Sequence, residues 1–225
     1  MNYNETWNEI FCHKLKKSYP AEQLIRIFMG SYPKIKFDKI YYDKKVLDIG
    51  CANGRNTEFL ASLGFKEVIA IDITEELINL ARLNVESAGN YNNCKYMLGT
   101  NDCIPLDSNY LDFAVSWGVS YYMTLKDNRF SKYGENLKEL ARVLKKDGIL
   151  IIDVPQYNAN VYDNTEAIDE FYFKDKNGFI LRRFQNEEDF TRELSKYFYD
   201  IQLSTLTLDC FGKNYSRYTI VCRRI

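Results

Sequence analysis

Between residues 46 and 154, short apolar runs alternate with amphipathic stretches. Lys45–Ile49, Glu67–Asp72, Lys95–Leu98, Leu111–Ser116 and Ile149–Val154 read as strands. Asn56–Leu63, Glu75–Ala88 and Tyr133–Leu144, lying between them, carry helical spacing. Strands alternating with helices predict an α/β unit around a mostly parallel sheet. Thr74 is placed to cap the helix behind it, and Glu75 and Glu76 suit the positive end of its dipole. The Tyr133 helix is expected to end at Lys145-Lys146-Asp147-Gly148.

The flanks extend this picture. Residues 1–40 are read as an N-terminal helical cap with helices near Trp7–Lys17 and Glu22–Phe28, and Pro20 at a helix start. Trp7, Phe11, Leu15, Tyr19, Ile25 and Phe28 form an apolar face that such a short segment cannot bury alone. Residues 41–225 are the main domain, with an irregular insertion at 155–186. The insertion is expected to hold a hairpin, Phe171–Phe173 and Phe179–Leu181, turning at Asn177-Gly178. A helix at 187–197 and two strands, Ile201–Leu208 and Tyr215–Cys222, complete the chain. The two strands should pair across a turn at Gly212-Lys213-Asn214.

Composition narrows the class. The chain has 225 residues, 46% hydrophobic and 27% charged, which suits one domain with a sizeable core. The formal net charge is −1, so the basic excess of a nucleic-acid binder is absent and such a substrate is disfavoured. Six dispersed cysteines form no CxxC pair and no zinc-ligand spacing, so no metal site is expected. The start has neither a basic nor an apolar signal region, and no apolar run is long enough to span a bilayer. These features lead to the expectation of a cytoplasmic protein without a membrane segment.

The candidate chemistry begins at Val46-Leu47-Asp48-Ile49-Gly50-Cys51-Ala52-Asn53-Gly54-Arg55-Asn56, where an apolar strand enters a glycine-bearing turn and then a helix. Gly50 and Gly54 allow a tight turn and close backbone approach to a ligand. Asp48 places an acid inside the strand. Asp72, about 20 residues beyond Gly50 at the end of the next strand, sits where a carboxylate takes ribose hydroxyls. Leu98-Gly99-Thr100-Asn101-Asp102 ends the third strand in a loop able to hydrogen-bond an adenine edge.

In these stretches the chain resembles the class I, Rossmann-like S-adenosylmethionine-dependent methyltransferases. VLDIGCANG is similar to their first motif, AIDIT to the second, and GTNDCIPL with LDFAVSWG to the third and fourth. LKELARVLKKDGILIIDVP resembles the helix-strand unit that follows. The resemblance implies a seven-stranded, mostly parallel sheet of order 3-2-1-4-5-7-6, with helices on both faces and an N-terminal helical lid. It implies S-adenosyl-L-methionine as cofactor. Asp48, Gly50, Cys51, Ala52, Asn53 and Gly54 would hold the methionyl end. Asp72 would bind ribose, Ile73 would pack on adenine, and Asn101 and Asp102 would flank the base. Ser116 and Trp117 would sit beside the sulfonium and the acceptor. Tyr19 and Arg26 would lie near the methionyl end, Arg26 pairing with the cofactor carboxylate. Two positions depart from the family pattern: Ala52 replaces the middle glycine, and Thr100 stands where aspartate is common.

Acceptor chemistry is less legible. His13 is the only histidine. With Tyr121 and Tyr122, which follow the fourth strand, it is a catalytic candidate. Asp153 is a candidate supporting carboxylate. The adenine-amino DPPY-like motif and the cytosine Pro-Cys pair are both absent. The segment Tyr19-Pro20-Ala21-Glu22-Gln23-Leu24-Ile25-Arg26 resembles the entry of small bacterial methyltransferases linked to glycan synthesis. The reading is therefore methyl transfer to a small-molecule acceptor, with a sugar or glycan-precursor hydroxyl as the candidate. The rivals are an NAD-dependent oxidoreductase and a non-catalytic binding or scaffold protein with the same fold. The acceptor is expected to enter between Trp117–Tyr122 and the 155–186 insertion.

Overall fold

The computed structural model describes residues 3–11, 19–89, 91–126 and 129–225. Two helices, α1 (Tyr3–Phe11) and α2 (Glu22–Met29), precede the alternating unit. That unit runs β1 (Lys45–Ile49), α3 (Arg55–Ser62), β2 (Glu67–Asp72), α4 (Glu75–Ala88), β3 (Cys94–Leu98) and β4 (Leu111–Ser116). After β4 come three two-residue strands, β5 (Tyr122–Met123), β6 (Leu125–Lys126) and β7 (Arg129–Phe130). They lead to α5 (Tyr133–Val143) and β8 (Leu144–Pro155). The insertion adds β9 (Glu166–Ala167), β10 (Tyr172–Lys174) and β11 (Ile180–Arg182). The last elements are α6 (Glu187–Leu194), β12 (Phe198–Cys210) and β13 (Lys213–Arg224).

Seven strands form the central sheet in the order β12-β13-β8-β4-β1-β2-β3. All neighbouring pairs from β3 to β8 are parallel, whereas β13 is antiparallel to both β8 and β12. The expected numerals counted only seven strands; here six short strands intervene, so the later members carry higher numbers. The insertion hairpin β10–β11 recruits β5 and β9 into a separate four-stranded sheet of order β5-β11-β10-β9. This link was not foreseen. It ties the segment after β4 to the insertion, through Leu181 opposite Tyr122.

Alternation along the strands divides the core between the two faces. Leu47, Ile49, Ile69, Ile71, Leu150 and Ile152 share one cluster with residues of α5 and α6. Val46, Val68, Phe113, Val115, Ile149 and Ile151 share another with residues of α2 and α3. Burying such strands on both sides explains their nearly continuous apolar runs.

Three local expectations need correction. Helix α5 ends at Val143, ahead of the lysines, because Leu144 takes an extended backbone at φ −73°, ψ 141°. Lys145 pairs instead with Asp112 at 2.8 Å, and Asp147, not Gly148, adopts the left-handed conformation at φ 62°. The terminal hairpin turns on Phe211-Gly212, with φ 53° and 83°, one residue earlier than expected. Such a two-residue turn matches the twist of the paired strands. The N-terminal cap also divides in two. Helix α2 buries Leu24, Ile27 and Phe28 against the sheet face shared with α3, while α1 lies over the carboxyl ends of the strands.

Candidate active site

A cleft of about 590 Å³ opens at the carboxyl ends of β1, β2 and β4. Ligands in open α/β sheets bind at that edge. The β1 loop forms its floor. Gly50 has φ 70°, and a Cβ there would meet the Val119 side chain at 2.7 Å. Gly54 has φ 79° and packs against α4, where a Cβ would come within 2.9 Å of the Ala81 carbonyl oxygen. Ala52 also takes the left-handed region, at φ 48°. This is the position of the family's middle glycine, and alanine holds it under strain.

Asp72 ties this loop to β2. Its Oδ2 accepts the Ala52 N–H and its Oδ1 the Ile73 N–H, both at 2.7 Å. Burial pushes its carboxyl above the ordinary range, and the two N–H donors pull it back. Carboxylate oxygens accept more than one hydrogen bond each, so capacity remains on the side facing the cleft.

Asp48 lies behind the floor, 1% exposed, and does not line the cleft. Its Oδ2 accepts the Thr57 hydroxyl at 2.6 Å, which fastens β1 to α3. Asp48 was expected among the residues holding the methionyl end; this geometry instead lets it orient the loop from behind. Burial pushes its carboxyl up to about 7.

The remaining expected residues divide clearly. Cys51, Asn53, Ile73, Asn101, Trp117, Tyr121 and Tyr122 line the cleft with Gly50, Ala52 and Asp72. Asn101 also bridges two chain segments by donating to the carbonyls of Val119 and Tyr122 at 3.0 and 3.2 Å. Gly54, Asp102 and Ser116 are not part of the lining. Ser116 Oγ and Asp102 Oδ1 are buried without a hydrogen-bond partner among the described residues. Tyr19 is 90% exposed and touches the site only through its carbonyl, which accepts from Arg55 Nη1 at 3.3 Å. Arg26 points away: its exposed guanidinium pairs with Glu22 one turn earlier, at 2.7 Å. His13 lies outside the described residues.

Several lining residues escaped the sequence reading. Arg55, directly after Gly54, lines the cleft, whereas Arg26 does not. Helix α1 contributes Tyr3 and Trp7. Tyr3 donates its hydroxyl proton to the Met123 carbonyl at 2.7 Å, and Asn8 Nδ2 donates to Glu76 Oε2 at 2.7 Å. The far wall comes from β13, through Tyr215 and Arg217. The signal for these two was present in the expected strand order, which brings the start of the last strand to the carboxyl edge of the sheet.

Residues 47–152 match the family model described as a methyltransferase domain. That stretch belongs to the methyltransferase domain family. Over 117 residues the chain is 33% identical to human EEF1A lysine methyltransferase 2, covering 51% of this chain and 48% of that protein. It is 31% identical over 129 residues to 24-methylenesterol C-methyltransferase 2 of Arabidopsis thaliana, covering 56% and 34%. The chain thus spans about half or less of these curated relatives. The fold matches that of a SAM-dependent methyltransferase from Methanosarcina mazei, with TM-score 0.63, 22% identity, and coverage of 83% and 94%. The methyltransferase domain implies S-adenosylmethionine as cofactor, and a cleft of this volume with a carboxylate at its rim fits a nucleoside of that size.

Proposed function

We propose that this methyltransferase transfers a methyl group from S-adenosylmethionine to a small acceptor entering between Trp117–Tyr122 and the insertion. The observation that carries this reading is Asp72, which lines the cleft while bonded to the Ala52 N–H. That arrangement lets one carboxylate shape the loop and accept ribose hydroxyls together. Ile73 supplies an apolar surface for adenine, and Arg55 is the cation available to the cofactor carboxylate. When bound, the cofactor supplies an electrophilic methyl on a sulfonium. The chain's part is then to align an acceptor with that carbon and to exclude water.

Helix α1 and the insertion enclose the acceptor side with Trp7, Tyr122 and Val161, which favours a small molecule over a folded macromolecule. Burial raises the hydroxyl pKa of both Tyr121 and Tyr122, so each stays protonated and serves as wall or donor rather than base. A sugar or glycan-precursor hydroxyl therefore gains less support than an acceptor that needs little deprotonation. The two curated relatives are named for a protein and a sterol acceptor, so the shared domain does not itself choose the acceptor. Against the NAD-dependent reading stand the methyltransferase match and a loop lacking GxGxxG.

The test is thermal shift with S-adenosylhomocysteine and NADH, followed by radiolabelled methyl transfer into a fractionated extract. Stabilisation by S-adenosylhomocysteine alone, with label in the small-molecule fraction, is the expected result. Stabilisation by NADH alone would overturn the cofactor. Binding without any transfer would favour the scaffold alternative, and label confined to protein or RNA would overturn the small acceptor.

A further inference from the structure

Strand β13 runs antiparallel to β8, with Arg217 opposite Pro155 at the carboxyl end of β8. This brings the Arg217 side chain, 12% exposed, to the cleft wall. Its Nη1 lies 3.3 Å from Asp153 Oδ2. That nitrogen is nevertheless buried without a hydrogen-bond partner among the described residues. The other Asp153 oxygen, Oδ1, accepts the Gly118 N–H. A guanidinium carries five N–H donors, more than one ion pair with Asp153 can use, and nothing in aligning a methyl donor requires a cation at this wall. The rings of Tyr121 and Tyr215 stand 5.1 and 5.4 Å from the guanidinium carbon, giving the group aromatic flanks.

We propose that Arg217 recognises a carboxylate on the acceptor, with Tyr121 and Tyr215 gripping the apolar or aromatic body attached to it. The proposal rests on the reading of the cleft as a methyl-transfer site. A planar guanidinium presents donors in a fork that matches a carboxylate. Asp153 already offsets part of the positive charge, so the remaining field suits a single negative charge rather than a phosphate dianion. Asp153 acts as a positioning residue: held by the Gly118 N–H, it keeps the guanidinium at the wall. Tyr121, Tyr215 and Val161 supply apolar surface around this charged anchor, and pockets for small molecules combine such surface with a few placed polar groups.

The experiment is calorimetric titration of benzoate, and separately of benzamide, into the full chain saturated with S-adenosylhomocysteine. Benzoate is expected to bind at least about tenfold more tightly than its neutral isostere. Arg217→Lys keeps a charge beside Asp153 but loses the fork. It should weaken benzoate about tenfold while leaving S-adenosylhomocysteine affinity within about twofold. The double variant Arg217→Gln/Asp153→Asn removes both charges, so no unpaired ion is left buried, and it should abolish the preference for benzoate over benzamide. Equal binding of the two probes, binding of neither, or full benzoate affinity in Arg217→Lys would overturn the proposal. Failure of S-adenosylhomocysteine to bind in the preliminary titration would instead overturn the methyl-transfer reading, and this proposal with it.

Discussion

Trp7 of α1 stacks on Phe179 of the insertion, with ring centroids 4.0 Å apart and planes 24° apart. The same indole meets Tyr122 edge-on at 5.1 Å. Two segments far apart in sequence thus meet at the cleft through one side chain. If α1 is a lid, S-adenosylhomocysteine should slow hydrogen exchange in residues 3–11, because ordering the lid and closing the site are one event. Trp7→Ala should remove this protection and lower turnover while the core stays folded; each lost aromatic pair is worth about 0.5–1.5 kcal/mol. Deleting residues 1–18 should likewise leave a folded core with weakened cofactor binding. Exchange that ignores the ligand, with full activity in the truncated chain, would reduce α1 to packing.

Asp72→Ala should cost about 2–4 kcal/mol of cofactor affinity, since two charge-assisted hydrogen bonds are lost with partial compensation by water. It also strands the N–H groups of Ala52 and Ile73. Asp72→Asn, which keeps an acceptor for one of them, should fall between wild type and alanine. Calorimetry with S-adenosylhomocysteine gives the ranking; an unchanged dissociation constant in the alanine variant would remove Asp72 from the ribose site.

Ala52→Gly tests the strained loop. A left-handed alanine costs roughly 1–2 kcal/mol, and a glycine returns about 0.5–1 kcal/mol of that through its freer unfolded state. The variant should be stabilised by about 0.5 kcal/mol and should still bind the cofactor. Denaturant melts reading a clear loss of stability would show that the loop bears no strain at Ala52.

Asp48 gives a pH signature. Burial pushes its carboxyl up to about 7, so the folded chain holds the proton more tightly than the unfolded chain, whose carboxylate lies near 3.9. The resulting stabilisation is complete below about pH 4 and is lost as pH rises through about 7. Asp48→Asn can still accept the Thr57 hydroxyl but cannot titrate. Without cofactor, its melting temperature should fall less between pH 6 and 8.5 than that of the wild type. Asp72 and Asp153 are also raised by burial and titrate in the same sense, so the slope should shrink without vanishing. Parallel profiles for the two proteins would show that Asp48 stays ionised.

Local pattern alone determined the elements of the sheet and the glycine-bearing loop after β1. The bounds of β1, β2, β4 and α4 follow from apolar runs and from Thr74, whose hydroxyl oxygen accepts the Leu77 N–H as a cap should. These are properties of neighbouring residues, and so is the glycine turn after β1; the pairing of β1 with β2 then brings Asp72 within reach of Ala52. Tertiary structure decided which side chains face the cleft. Arg26 has a helical neighbour, Glu22, that satisfies its charge one turn away, whereas Arg55 is carried toward the cleft by α3. Asp48 is only nine residues from its partner Thr57, yet which face of β1 it occupies is set by the whole sheet. Arg217 and Trp7 join the site from opposite ends of the chain. The expected strand order already carried the start of β13, and so Arg217, to that edge; Trp7 depends on the insertion that receives α1, and long-range packing of that kind leaves no periodic trace in the residues it unites.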